Sequence, residues 1–313
     1  MAEQIAPAVY FAAVHLLFAS SVAVAALVLC AALRASATVK YWIWVATAVN
    51  FIFPAGALVD GFFASRLAGA APLDGIGNAV ADFSRSAVAL TTFLAWLAGV
   101  LAMLALLCVR LRNARLDGRP AAPARVLEAA RLPARGIPVA CVPGREVPAV
   151  EGILRPRIVL PPDIERLLSR RELEAVLVHE AAHARRRDNL IELAYEVGRC
   201  LLWFHPLMWL AGSRLALYRE LSCDESVVRG SYGADLVSAI GKLALPARRG
   251  LLRASMSSFL CERLDRLGEP PARNAASGLA AIVFAAILAA GLCETVSHTA
   301  CCFRDASRHE APR

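Results

Sequence analysis

The residues with the clearest chemical potential are His179, Glu180 and His183, in the stretch Val178-His179-Glu180-Ala181-Ala182-His183-Ala184. Four apart, the two histidines share one face of a helix. Neutral imidazoles so placed suit Zn²⁺, and a carboxylate between them can take a proton from a water at the ion. Such a pattern needs a helix beneath it. Ser169-Arg170-Arg171-Glu172 is a capping box, and no Pro or Gly falls between Arg170 and Val197. The spacing therefore predicts a capped helix over about 170–186 that carries the motif. A pair of surface histidines beside Arg185, Arg186 and Arg187 is the other reading.

A catalytic zinc site usually takes three protein ligands. The chain has six histidines; His15 lies in an apolar run, and His298 and His309 follow the last apolar segment. A carboxylate is the better third ligand. Glu220, 37 residues after His183, and Asp224 stand four apart, again on one helical face. Glu220 is expected to bind the metal, and Asp224 to accept the free ring N–H of a ligating histidine, which fixes the tautomer. Cys223 is a soft donor nearby or a small buried side chain. Glu225 points elsewhere and is assigned to the surface. His205 is read as structural or capping, with a transition-state donor as the alternative. Tyr218 and Tyr232 are further candidate donors to an oxyanion. Asp188 and Asn189 are expected to end the motif helix.

Four blocks occur in order: Glu151 to Pro161 (EGILRPRIVLP), His179 to Asn189 (HEAAHARRRDN), Phe204-His205-Pro206-Leu207, and Glu220-Leu221-Ser222-Cys223-Asp224-Glu225. Together they resemble the BlaR–MecR family of integral-membrane zinc metallopeptidases, of antirepressor and signal-transducer type, over roughly residues 85–296. The resemblance implies Zn²⁺ held by His179, His183 and Glu220, with Glu180 as general base and acid. It also implies a mainly α architecture: four membrane spans around a cytoplasmic α+β metalloprotease domain of gluzincin type.

Composition agrees with a membrane protein. Of 313 residues 58% are hydrophobic, and mean hydropathy is +0.53, too apolar for one soluble domain. Net charge is +8, carried by arginine, since Lys40 and Lys242 are the only lysines. Arginines at a cytoplasmic membrane face account for this, and no direct nucleic-acid binding is expected. Nine cysteines without a C-x-x-C pair exclude a disulfide framework. Residues 1–109 are expected to hold three spans: about 9–33, about 41–59 with a kink at Pro54, and about 86–109, with an extracytoplasmic loop at 60–85. Residues 110–276 form the metallopeptidase domain, 277–296 the fourth span, and 297–313 a short extracytoplasmic tail. Arginines after the third span place both termini outside and the catalytic domain in the cytoplasm of an inner- or plasma-membrane protein.

Within the domain, Ile137 to Val142 and Ile158 to Leu160 read as strands. Val147, Pro148, Ala149 and Val150, in the stretch Val147 to Ile153, are the candidate substrate-holding edge strand, with an ordinary hairpin as the alternative. Helices are expected over 189–212, interrupted at Pro206, and over 213–229. Residues 230–270 read as a flexible, Arg-rich connection.

The resemblance implies a protein substrate: the chain itself, with 245–265 as the self-cleavage zone, a transcriptional repressor, or both. Family members that detect β-lactams carry an acylated serine in S-x-x-K. Here Ala37 and Ala239 stand three before the two lysines, so the signal is expected to enter through the loop 60–85, through Cys301 and Cys302, or through a separate sensor protein, a partner beside the lipid bilayer. A constitutive quality-control protease of the membrane shares the zinc chemistry. A non-catalytic zinc-binding adaptor would have no use for Glu180.

Overall fold

The computed structural model describes residues 2–32, 34–53, 87–113, 122–244, 262–264, 266–267 and 277–289. Pro54, the expected loop 60–85, the tail 297–313 and most of the zone 245–265 lie outside them. The elements are α1 (Ala2–Ala32), α2 (Ala37–Ile52), α3 (Ala87–Asn113), α4 (Ala124–Ala130), β1 (Val139–Cys141), β2 (Ala149–Glu151), β3 (Arg157–Leu160), α5 (Ile164–Leu167), α6 (Arg170–Arg186), α7 (Asp188–Leu201), α8 (Pro206–Arg229), α9 (Gly233–Ala244) and α10 (Ser277–Ala289). The fold is mainly helical, as expected.

Two helices are long and apolar enough to cross a bilayer, within α1 at His15–Ala32 and within α3 at Leu90–Arg112. Helix α3 turns Leu90, Phe93, Leu94, Leu101, Leu106 and Val109 outward. A helix apolar all round and scarcely covered by protein suits hydrocarbon rather than water. Helix α2 is different. Its described part is only 16 residues long, and Tyr41, Ile43, Trp44, Ala48 and Phe51 are buried against α1 and α8. Helix α10 is apolar but shorter. Among the described residues, then, two of the four expected spans have full length.

Among the described residues two apolar clusters are buried. One joins α1, α2, α10 and the front of α8 through Tyr41, Trp44, Met208, Ala211, Leu215, Leu221 and Phe284. The other lies beneath the sheet, where Ile158 and Leu160 of β3 meet Leu173, Val176, Leu177 and Ala181 of α6. The sheet order is β1-β3-β2, with β1 parallel and β2 antiparallel to β3. Strand β2 is therefore an edge. Helix α8 belongs to both clusters, since Val227 at its far end packs in the second.

Two expected boundaries move. The helix expected over 189–212 stops at Leu201, and the next runs unbroken from Pro206 to Arg229. Pro206 occupies the first helical turn, where its missing N–H costs nothing. Gly212, inside α8, sits under Tyr195; an added Cβ would lie 2.0 Å from the Tyr195 hydroxyl oxygen. The connection expected to be flexible contains α9, which buries Leu236 and Ala239 against the α6 cluster. Leu236, Ala239, Ile240 and Leu243 follow helical spacing.

Candidate metal centre

Helix α6 owes its start to Ser169, whose Oγ accepts from Glu172 N while Glu172 Oε2 accepts from Ser169 N at 2.7 Å. Its inner face buries Leu173, Val176, Leu177 and Ala181, which fixes its rotation. His179 and Glu180, on the motif turn, are buried too, 6% and 8% exposed. The helix ends at Arg187, in left-handed conformation at φ 57°, and α7 begins at the next residue. Helix α8 crosses α6 and brings Glu220 and Asp224.

The three expected ligands converge. His183 Nε2 lies 3.1 Å from His179 Nε2; Glu220 oxygens lie 3.6 Å from His179 Nε2 and 3.8 Å from His183 Nε2. Tetrahedral Zn²⁺ with bonds of about 2.0–2.1 Å separates its ligand atoms by roughly 3.3–3.4 Å. The residues present therefore fit such an ion.

Each imidazole has a carboxylate behind it. His183 Nδ1 donates to Asp188 Oδ2 at 2.6 Å. His179 Nδ1 stands 3.0 Å from Asp224 Oδ1, in ion-pair range but short of good hydrogen-bond geometry. A carboxylate only accepts, so it favours the proton on Nδ1 and the lone pair on Nε2, towards the partner ring. Two such lone pairs 3.1 Å apart repel unless a cation or a proton lies between them. Burial alone would lower the His179 pKa; Asp224 and Glu220 outweigh it and raise it to about 9. Burial opposes charge on Glu220 as well, yet His179, His183 and Arg263 hold its carboxyl well below the usual range. Burial raises the pKa of Glu180.

Arg263 falls in the stretch 230–270, expected to be a flexible, Arg-rich connection. Its guanidinium instead grips Asp224 with both arms, Nε to Oδ2 at 2.8 Å and Nη2 to Oδ1 at 2.9 Å. Nη1 lies 3.3 Å from Glu220 Oε2. Asp188 does more than end the motif helix, because it orients His183. Glu225 is not a free surface group: it caps the start of α2, accepting from Ala37 N at 2.5 Å and Thr38 Oγ1 at 2.9 Å. His183 and Asp188 are only five residues apart, but the Arg263 pairings span 39 and 43 positions and those of Glu225 187 and 188, and no local spacing signals them.

Of the remaining candidates, Cys223 stays beside His183 and Asp188, and the others are placed elsewhere. His205 begins α8, bonds Ser20 of α1 at 3.2 Å and packs on Phe51. Tyr218 is buried in the α2–α8 cluster under Lys40 Nζ. Tyr232 donates to Glu174. Cys223 accepts from Arg186 Nη2 at 3.3 Å, and burial pushes its thiol pKa up, which disfavours a thiolate ligand. Val147, Pro148, Ala149 and Val150 lead into and form most of β2. Asn189 ties that strand to α7 by donating to Val150 O at 3.0 Å and Gly152 O at 3.1 Å.

A helix-borne H-E-x-x-H pair, closed by a glutamate from a later helix, is a metallopeptidase-type site. The BlaR1 peptidase M56 family model matches residues 11–247, and the chain belongs to that family. The chain is 37% identical over 82 residues to "Regulatory protein BlaR1" of Bacillus licheniformis. It is 27% identical over 82 residues to "Methicillin resistance mecR1 protein" of Staphylococcus aureus. Each match covers 26% of this chain and 14% of the relative.

Proposed function

We propose that this chain is a membrane-embedded zinc endopeptidase whose active site faces the cytoplasm. It acts as a signal transducer that cleaves itself, a transcriptional repressor, or both. The observation that carries the proposal is the convergence of His179, His183 and Glu220 with Glu180 buried among them. The regulatory role draws on the printed name of the Bacillus relative. The membrane reading draws on the two long apolar helices.

Zn²⁺, when bound, polarises the scissile carbonyl and brings the pKa of a water towards neutrality. Glu180 takes the proton of the attacking water and passes it to the leaving amine. Its burial suits a group that must hold a proton between two transfers. Asp188 and Asp224 keep Nε2 of the two histidines directed at the ion. The open edge of β2, with Val147, Pro148, Ala149 and Val150, receives the substrate backbone as an added strand, and Asn189 sets that strand's position. Self-cleavage gains support from Arg263. It lies inside the zone 245–265, and its side chain already reaches the metal site.

The test is electrophoresis of purified full-length protein in detergent, wild type beside Glu180→Gln, with and without a zinc chelator. Fragments are expected only in zinc-replete wild type, with a rate loss of at least about 10²-fold in the variant. Unchanged fragmentation in Glu180→Gln would defeat the mechanism.

A further inference from the structure

Helix α2 meets the metal helices at two adjacent points. At its first turn, Glu225 of α8 accepts from Ala37 N, Thr38 N and Thr38 Oγ1, and Thr38 Oγ1 also meets Ser222 Oγ at 3.1 Å. A carboxylate there satisfies free N–H groups and complements the positive helix end. One turn on, on the same face, Tyr41 is fully buried and donates to Asp188 Oδ1 at 3.0 Å. The other oxygen of Asp188 takes the N–H of His183. Arg186 stacks 4.0 Å from the centre of the Tyr41 ring and binds both Asp188 oxygens, at 2.6 and 2.7 Å. It thereby fills the space between Asp188 and Cys223.

We propose that Tyr41 is a positioning residue of the metal centre. Its hydroxyl orients Asp188, Asp188 orients His183, and metal affinity therefore depends on how α2 is seated against α8. Asp188 faces four donor atoms from three residues, Tyr41 on α2 and His183 and Arg186 on α6, and of these only the Tyr41 hydroxyl comes from outside α6. A membrane-side helix thus reaches a metal ligand through one intervening carboxylate. This gives movement of α2 a direct route to the site. The inference rests on the zinc reading of His179, His183 and Glu220.

The test is the zinc Kd of full-length protein in detergent, measured by competition with a chromophoric chelator. Tyr41→Phe keeps the ring beneath Arg186 and removes only the hydroxyl. Losing an outer partner of a ligating histidine typically costs about 10–100-fold in metal affinity. One step further out, we expect a Kd raised about 3- to 10-fold, with the zinc-free melting temperature nearly unchanged. In an Asp188→Asn background the same substitution is expected to add nothing. Tight zinc binding unaltered by Tyr41→Phe would overturn the proposal, as would a full and independent loss in the Asp188→Asn background. Wild type with no zinc affinity would overturn the metal reading itself.

Discussion

At the residue scale, the site is a balance of buried charges. Glu180, Glu220, Asp224 and Asp188 stand around two imidazoles, with Arg263 and Arg186 as the nearby cations. A carboxylate hydrogen-bonded by a guanidinium stays ionised, and one behind an imidazole favours the tautomer that can ligate. Asp224 does both at once, with Arg263 on one side and His179 on the other. Asp224→Asn keeps the shape and removes the charge that steers His179. We expect it to weaken zinc binding by about 10–100-fold, read by chelator competition. Zinc affinity equal to that of wild type would show that Asp224 serves only to hold Arg263. The two pairs that make up the candidate site were legible in the sequence, because helical spacing places His179 with His183 and Glu220 with Asp224. Arg263 was not. With 34 basic residues in the chain, nothing local marks the one whose segment folds back onto α8.

At the element scale, two capped helices set the geometry. The Ser169–Glu172 box was legible, since both partners lie within one turn. Glu172 also reaches α9, accepting from Ser238 Oγ at 2.5 Å and Lys242 Nζ at 2.7 Å. That tie explains why 233–244 is helix where a flexible connection was expected: Leu236 and Ala239 bury against α6 and Glu172 fastens the turn above them. Burial works against the charge of Glu172, but Lys242, Ser238 and the Ser169 N–H hold its pKa down to about 2. A lowered carboxyl pKa stabilises the fold above the ordinary value near 4.5 and loses that contribution as pH falls towards 2. Glu172→Gln is expected to cost about 1–2 kcal/mol near neutral pH. Its melting temperature should approach that of wild type as pH drops from about 4.5 towards 2. A gap that stays constant over that range would rule out charge as the cause. The sharp end of α6 was anticipated at Asp188, but the second use of Asp188 depends on Tyr41, 147 positions earlier.

At the scale of the whole molecule, α8 is the shared member. Its front packs among α1, α2 and α10, its end packs beneath the sheet, and Glu220 and Asp224 lie where the two clusters meet. The loop between α7 and α8 reaches α3 as well. Trp203 Nε1 donates to Trp96 O, and its ring lies so close to Gly99 that an added Cβ would sit 2.3 Å away. The apolar run 201–210 is therefore where the elements of the candidate site meet α3. Sequence periodicity identified the long apolar helices. It could not reveal that α2 is covered by α8, because an apolar helix looks the same whether lipid or protein surrounds it.

The central claim is a zinc centre built by His179, His183 and Glu220, and metal analysis of the purified full-length protein tests it most directly. Zinc should accompany wild type and Glu180→Gln in equal, stoichiometric amounts, since Glu180 is not a ligand, and should be lost from His179→Ala and Glu220→Ala that retain wild-type helical content. Zinc kept in full by a folded Glu220→Ala protein, or absent from wild type under zinc-replete conditions, would contradict the account.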